Sequence, residues 1–144
     1  GLLSHSSGLY RDLTVLENIT FWTQIAGVEK SEIDNRISWA LERMELDNKL
    51  QNQKVRSLSV GQKRRASLAV FIVRRPDLWL MDEPHAGLDQ EGRQAVDDLI
   101  EESVRAGATV IVASHDLERV LNLATRVVTL SGGAVVGVDH GGNK

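Results

Sequence analysis

Two adjacent carboxylates, Asp82 and Glu83, directly follow the apolar run 78–81 and precede Pro84. The apolar run is typical of a buried parallel strand, and that strand must end where the charges and the proline begin. Open α/β sheets bind their ligands at the carboxyl ends of their strands. A merely polar strand end would explain two acidic residues equally well, so the neighbouring motifs must decide whether these residues do chemistry.

A second apolar run, residues 109–113, leads into Ser114 and His115. A single histidine at a strand end usually has a structural role, although an imidazole also serves in acid–base chemistry near neutral pH. The type of residue alone leaves both interpretations open.

The third candidate is the start of a helix at Ser59, Val60, Gly61 and Gln62. Ser59 and Gln62 have the spacing of a capping box, which by itself explains them as a well-formed helix start. A helix N-terminus also carries free N–H groups and a partial positive charge, and Gly61 allows a phosphate to approach the backbone closely. The same residues therefore serve both as a cap and as an anion site.

The predicted secondary structure changes near residue 73, from mostly helical to alternating strand and helix. Residues 10–73 are predicted to be largely helical, with one helix capped by Thr14 and a second opened by a capping box at Ser31 and Asp34. We expect residues 46–56 to be irregular, and Trp22 and Trp39 to lie in the core.

Residues 74–144 are predicted to alternate strand and helix, and Gly1 to Leu3 read as the end of a further strand. A helix over 90–106, with Val96, Leu99, Ile100 and Val104 facing inward, joins the two apolar runs, which favours a parallel pair. A short helix over 116–124 and a hairpin over 127–138 follow, and residues 140–144 are expected to fray. The predicted fold class is α/β, a helical subdomain followed by a mostly parallel sheet with flanking helices and a C-terminal β-hairpin.

The bulk properties exclude several classes of function. The chain has 144 residues, a net charge of −3 and no cysteine. Its charge gives no general attraction to nucleic acid, and it offers no disulfide framework or thiolate chemistry. No apolar run approaches the ~20 residues of a membrane helix, so a membrane role would require a partner. The basic residues Lys63, Arg64 and Arg65 are interpreted as a solvated helix face because no aromatic residues alternate with them.

Together the motifs resemble the ATP-binding subunits of ABC transporters, a branch of the P-loop NTPases. Residues 58–62 are similar to the LSGGQ signature, 78–83 to a Walker B strand with its catalytic glutamate, 86–89 to the D-loop, and His115 to the switch histidine. The four motifs occur in the order of the family.

The resemblance implies a site for ATP and Mg²⁺. Asp82 would hold Mg²⁺ through water, Glu83 would act as general base, and His115 would contact the γ-phosphate. The signature would bind the ATP of a second subunit, and Asp89 would reach across the dimer interface. The residues implied to bind ATP are Ser59, Val60, Gly61, Gln62, Asp89 and, at the Q-loop position, His5.

The resemblance also implies the partners and the location. One implied partner is a second ATP-binding subunit, arranged head to tail as a homodimer or heterodimer. The other is an integral membrane permease, and nucleic acid is not an implied partner. The implied location is the cytoplasmic face of a bacterial cell membrane. Among ABC transporters, the sequence looks most like the haem-exporter ATPases of cytochrome c biogenesis, the CcmA family. The similarity lies in His5 with residues 8–18, in the signature continuing to Arg65, and in residues 82–89. Exporters of drugs, polysaccharide or lipid remain alternatives. A soluble ABC protein of ribosomes or DNA repair and a module that does not hydrolyse ATP are further alternatives.

Two departures from the family pattern affect these expectations. No phosphate-binding loop G-x-x-x-x-G-K-S/T is found, because Lys30 and Ser31 lack its glycine frame. We therefore expect the chain to be an N-terminally truncated fragment that hydrolyses no ATP alone. The second departure is His5, which replaces the Q-loop glutamine and, unlike an amide, titrates near neutral pH.

Overall fold

The computed structural model describes residues 1–4 and 8–141. Four α-helices and a short 3-10 helix fill the first half of the chain. In order, they follow strand β1 (Leu2–Leu3) as α1 (Val15–Ile25), α2 (Lys30–Arg43), α3 (Asn48–Gln51), the 3-10 helix (Val55–Ser57) and α4 (Val60–Val73). The prediction of an irregular segment over residues 46–56 was wrong in part, because α3 lies within it and the 3-10 helix starts in it and ends one residue beyond it.

Helix α1 begins at a complete capping box. The Thr14 hydroxyl accepts a hydrogen bond from the Glu17 N–H, and the Glu17 carboxylate accepts one from the Thr14 N–H. One turn later, the fully buried Asn18 bonds both the N–H and the carbonyl of Tyr10. These bonds fix the loop before α1 against the helix.

Helix α2 corrects two predictions. It starts one residue earlier than Ser31, with Glu29 at the cap and no side-chain capping bond, so the capping box at Ser31 and Asp34 was wrong. Trp39 is 36% exposed rather than in the core, and the guanidinium of Arg75 lies 5.8 Å from its ring centroid. Trp22, in α1, is partly buried and packs against the core as expected.

The second half of the chain contributes a parallel sheet and a hairpin. Its elements are β2 (Leu78–Asp82), α5 (Gln90–Arg105), β3 (Thr109–Ala113), α6 (Leu117–Leu123), β4 (Arg126–Ser131) and β5 (Ala134–His140). Strands β1, β2 and β3 pair in that order, all parallel, with Asp82 opposite Ala113. This register brings the residues after β2 next to those after β3.

One face of this sheet is covered and the other is not. On the covered face, Trp79 and Met81 are buried, whereas Leu78 and Leu80 are 44% and 38% exposed. Strand β2 is therefore buried on one face only, which differs from the prediction of a wholly buried strand. Val104, near the end of α5, is likewise exposed, although Val96, Leu99 and Ile100 are buried as expected.

Strands β4 and β5 form the predicted antiparallel hairpin. Its turn contains Gly132 and Gly133, both with positive φ. The prediction that the chain frays from residue 140 was wrong at His140, which is still paired in β5. Residues 142–144 lie outside the described part of the chain.

Candidate functional site

Glu83 is the first residue after β2, and its backbone is in the left-handed region with φ 45°. Left-handed backbone costs a residue with a Cβ about 1–2 kcal/mol, and it is found where the surrounding structure imposes it. The Glu83 N–H donates to the Ala113 carbonyl at 2.8 Å, which ties the end of β2 to the end of β3. The chain turns sharply here, and the turn directs the Glu83 side chain toward Ser114 and His115.

The Glu83 carboxylate is held by three groups after β3. It lies 2.9 Å from the His115 backbone N–H, 2.7 Å from His115 Nδ1 and 3.3 Å from the Ser114 hydroxyl. Burial raises the pKa of Glu83, but the hydrogen bonds and charge of His115 outweigh burial and lower the pKa overall. The carboxylate is therefore ionised at neutral pH.

The side chains of this pair differ in exposure. Glu83 is 27% exposed and His115 is 88% exposed. A carboxylate fixed from one side and open on the other can orient a water molecule, and an exposed imidazole beside it can contact an anionic ligand.

Asp82 ends β2 with an exposed side chain. Among residues 1–4 and 8–141, no group of three or more His, Asp or Glu could hold a metal ion between them. Mg²⁺ does not need such a cage, since it is commonly bound by one or two carboxylates with water and phosphate oxygens. A single exposed carboxylate at a strand end fits that mode of binding.

Arg64 is a site residue that sequence reasoning missed. It lies in α4, is only 7% exposed, and donates four hydrogen bonds to backbone carbonyls at the ends of β1 and β2. The prediction of a solvated basic face was therefore wrong for Arg64. The helical period could have revealed that Arg64 is buried, because Arg64 lies on the same helix face as the buried Leu68 and Phe71.

The start of α4 forms the predicted capping box. The Ser59 hydroxyl accepts from the Gln62 N–H at 3.2 Å, and the Gln62 side chain accepts from the Ser59 N–H at 2.9 Å. Val60 is 75% exposed. A Cβ on Gly61 would lie 2.9 Å from the Gly87 carbonyl oxygen, so only glycine allows the helix start to approach residues 86–89 this closely.

Asp89 follows that loop and caps α5. Its carboxylate accepts from the Gly92 N–H at 3.0 Å and from the Arg65 guanidinium at 2.9 Å, and both contacts lower its pKa. Arg65 also pairs with Glu45, so it too is not part of a solvated face. Asp89 nevertheless remains 67% exposed, which leaves it accessible to a second molecule.

His85 belongs to a buried polar cluster behind the strand ends. It is 5% exposed, its Nε2 lies 2.8 Å from the Asp97 carboxylate, and Asp97 in turn pairs with Arg119. Burial, followed by the positive charge of Arg119, lowers the pKa of His85 to about 4. His85 is therefore neutral at physiological pH.

The predicted site residues thus fall into two groups. Glu83, Ser114 and His115 meet at the ends of β2 and β3 beside Asp82, whereas residues 59–62 lie against the loop that leads to Asp89. Arg64 joins the two groups, since it lies on the helix of the second and bonds the backbone of the first. His5 lies outside the described residues.

Comparison with known proteins yields a consistent set of relatives. The model of the ABC transporter family matches residues 1–86. An uncharacterised ABC transporter ATP-binding protein of Methanocaldococcus jannaschii is 33% identical over 94% of this chain, which covers 52% of that protein. An energy-coupling factor transporter ATP-binding protein of Symbiobacterium thermophilum is 35% identical over 85% of the chain and 42% of its own length. The chain thus spans about half the length of these curated relatives.

The fold has a close counterpart among solved structures. The ATP-binding cassette MJ0796, solved as a dimer in a post-hydrolysis state with ADP and Pi, superposes with a TM-score of 0.85 at 26% identity, over 97% of this chain and 62% of the other. The predicted fold class, the α/β fold of an ABC-type P-loop NTPase, is confirmed. Within the part of the chain that the structure describes, no helix has the length and apolar character needed to cross a bilayer.

Proposed function

The chain belongs to the ABC transporter family, and on that premise we propose that it serves as the ATP-binding and ATP-hydrolysing subunit of a transporter. The proposed reaction converts ATP and water to ADP and phosphate. The observation that carries this proposal is the Glu83 carboxylate, held 2.9 Å from the His115 N–H and 2.7 Å from its Nδ1 at the carboxyl ends of two parallel strands.

We assign to each site residue a role that its position supports. The ionised Glu83 accepts a hydrogen bond from the attacking water and orients it, and His115 contacts the γ-phosphate with its exposed ring. Asp82 would hold Mg²⁺, which neutralises the phosphate charges when bound. The start of α4, with Ser59, Val60, Gly61 and Gln62, supplies backbone N–H groups to the phosphates of a nucleotide on a second subunit.

We further propose a head-to-tail pair of such subunits docked on a membrane permease at the cytoplasmic face of the membrane. The exposed Val60 and Asp89 support the pairing because both are accessible to a second molecule. The related cassette MJ0796 was solved as a dimer, which supports the same arrangement.

Replacing Glu83 by glutamine tests the proposed hydrolysis. Glutamine keeps the shape of the side chain but is neutral and a poor base, so Glu83→Gln should bind ATP and lose turnover. The measurement is steady-state phosphate release from the full-length protein, with ATP binding measured in parallel. Glu29→Gln is the control, because Glu29 is exposed at the start of α2 and makes no capping bond. Steady-state hydrolysis retained by Glu83→Gln would remove Glu83 from this role.

Haem export for c-type cytochrome maturation is the finer proposal for the cargo. Its support is the motif pattern that includes residues 62–65 and 82–89. The relatives described above do not support it, since their names concern an energy-coupling factor transporter and an ABC transporter without stated cargo. The test is disruption of the gene, which should abolish covalent haem in c-type cytochromes. If the cytochromes keep their haem, the proposal of haem export is wrong and the transporter exports another cargo.

A further inference from the structure

Arg64 concentrates its hydrogen bonds on the turn that carries Glu83. Its Nη2 donates to the Asp82 carbonyl at 2.8 Å and to the Glu83 carbonyl at 2.5 Å, and its Nε donates to the Pro84 carbonyl at 3.2 Å. Nη1 donates to the Ser4 carbonyl at 3.0 Å, after β1. One side chain therefore donates hydrogen bonds to three consecutive backbone carbonyls of this turn.

This turn needs an external support. Glu83 has φ 45°, a conformation that a residue with a Cβ adopts only when its surroundings impose it. The Ala113 carbonyl fixes the Glu83 N–H on one side at 2.8 Å, and the Arg64 guanidinium fixes the Glu83 carbonyl on the other. Together the two contacts determine the orientation of both peptide groups around Glu83, and hence the direction of its carboxylate.

The chemistry of the contacts also suits a supporting role. Arg64 bonds only backbone oxygens in this turn, so the carboxylates of Asp82 and Glu83 remain available to other groups. The planar guanidinium presents five N–H donors in a fixed arrangement, which an ammonium group cannot reproduce. With 7% exposure, the side chain has little freedom to leave this position.

From this geometry we propose that Arg64 is a positioning residue, which holds the left-handed turn at Glu83 so that the Glu83 carboxylate faces the attacking water. The proposal rests on the function proposed above for Glu83. In this proposal the buried Arg64 acts on Glu83 through the backbone of residues 82–84.

The first experiment compares Arg64→Lys and Arg64→Gln with the wild type in full-length protein, measuring kcat and KM for ATP. Misplacing a catalytic group by about 1 Å can cost about 100-fold in rate, so we expect kcat to fall about 10- to 100-fold. We expect KM to change less than about threefold, because the Arg64 guanidinium is buried and bonded to backbone carbonyls. Arg64→Lys keeps the positive charge and tests the proposal if Arg64→Gln does not fold. Lys63→Gln, one residue earlier in α4, is the control and should leave kcat unchanged.

The second experiment separates support of Glu83 from support of helix α4. In a Glu83→Gln background, ATP should drive dimerisation equally well with and without Arg64→Lys, because the start of α4 is unaffected. Loss of ATP-driven dimers in the double variant would mean that Arg64 acts by holding the signature helix, and the proposal would be wrong.

An unchanged kcat in Arg64→Lys, with a wild type that hydrolyses ATP, would also overturn the role of Arg64 while leaving the function proposed for Glu83 intact. A wild type without hydrolysis would instead refute the proposed function, and the role of Arg64 with it.

Discussion

The buried His85 should make the stability of the protein sensitive to mild acid. In the folded state its pKa is about 4, and the ordinary value is 6.5. Between these pH values His85 is protonated in the unfolded chain and neutral in the folded protein, so the free energy of unfolding rises with pH across this window. The stabilisation is fully present above about pH 6.5 and is lost as the pH falls toward 4.

The size of the effect follows from the two pKa values. One pKa unit corresponds to about 1.4 kcal/mol. At pH 5 the unfolded histidine is almost fully protonated and the folded one is still mostly neutral, so nearly the whole interval between pH 6.5 and pH 5 contributes to the loss of stability. We therefore expect His85 to remove about 2 kcal/mol from the free energy of unfolding between pH 7.5 and pH 5. The side chain is 5% exposed, so solvent screens little of this effect.

The assay is urea unfolding of wild type and His85→Gln at both pH values. Glutamine can still donate an N–H to Asp97 but does not titrate, so the variant should lose about 2 kcal/mol less than the wild type on acidification. His140→Gln is the matched control, since His140 is exposed in β5. Equal acid losses in wild type and His85→Gln would refute the reasoning.

Two further substitutions test contacts that hold the site. Gly61→Ala places a Cβ 2.9 Å from the Gly87 carbonyl oxygen and should lower the free energy of unfolding by about 1–3 kcal/mol, measured by urea unfolding; Gly137→Ala, whose Cβ would meet nothing closer than 3.7 Å, should cost less than about 1 kcal/mol. Asn18→Ala leaves the N–H and carbonyl of Tyr10 without their buried partner, so it should lower the free energy of unfolding by about 2–4 kcal/mol and with it the midpoint of thermal unfolding. A decrease in the free energy of unfolding below about 1 kcal/mol would mean that water replaces the amide.

The sequence allowed the elements that carry the site to be predicted because their signals are local. The capping box at Ser59 and Gln62, the strand that ends at Asp82, and the glycine pair of the hairpin each depend on residues within a few positions of one another. Local rules failed where two signals competed. The Ser31 and Asp34 pair looked like a helix start, but α2 had already begun at Lys30.

Burial and long-range pairing were harder to predict. Periodicity placed Val104 on the inner face of α5, yet its side chain is exposed near the end of the helix. The bonds of Arg64 to residues 82–84, and the pairing of His85 with Asp97, join residues 12 to 20 positions apart on different elements. The helical period could have indicated that Arg64 is buried, but no local pattern encodes which backbone groups it bonds.

Ser59 and Arg64 lie five residues apart on one helix, about 7.5 Å along its axis. In the proposed head-to-tail pair, the first of these residues faces the nucleotide of the neighbouring subunit and the second supports the hydrolytic glutamate of its own subunit. In that arrangement a single helix would contact one nucleotide at its start and support, about one and a half turns later, the glutamate that acts on the other nucleotide.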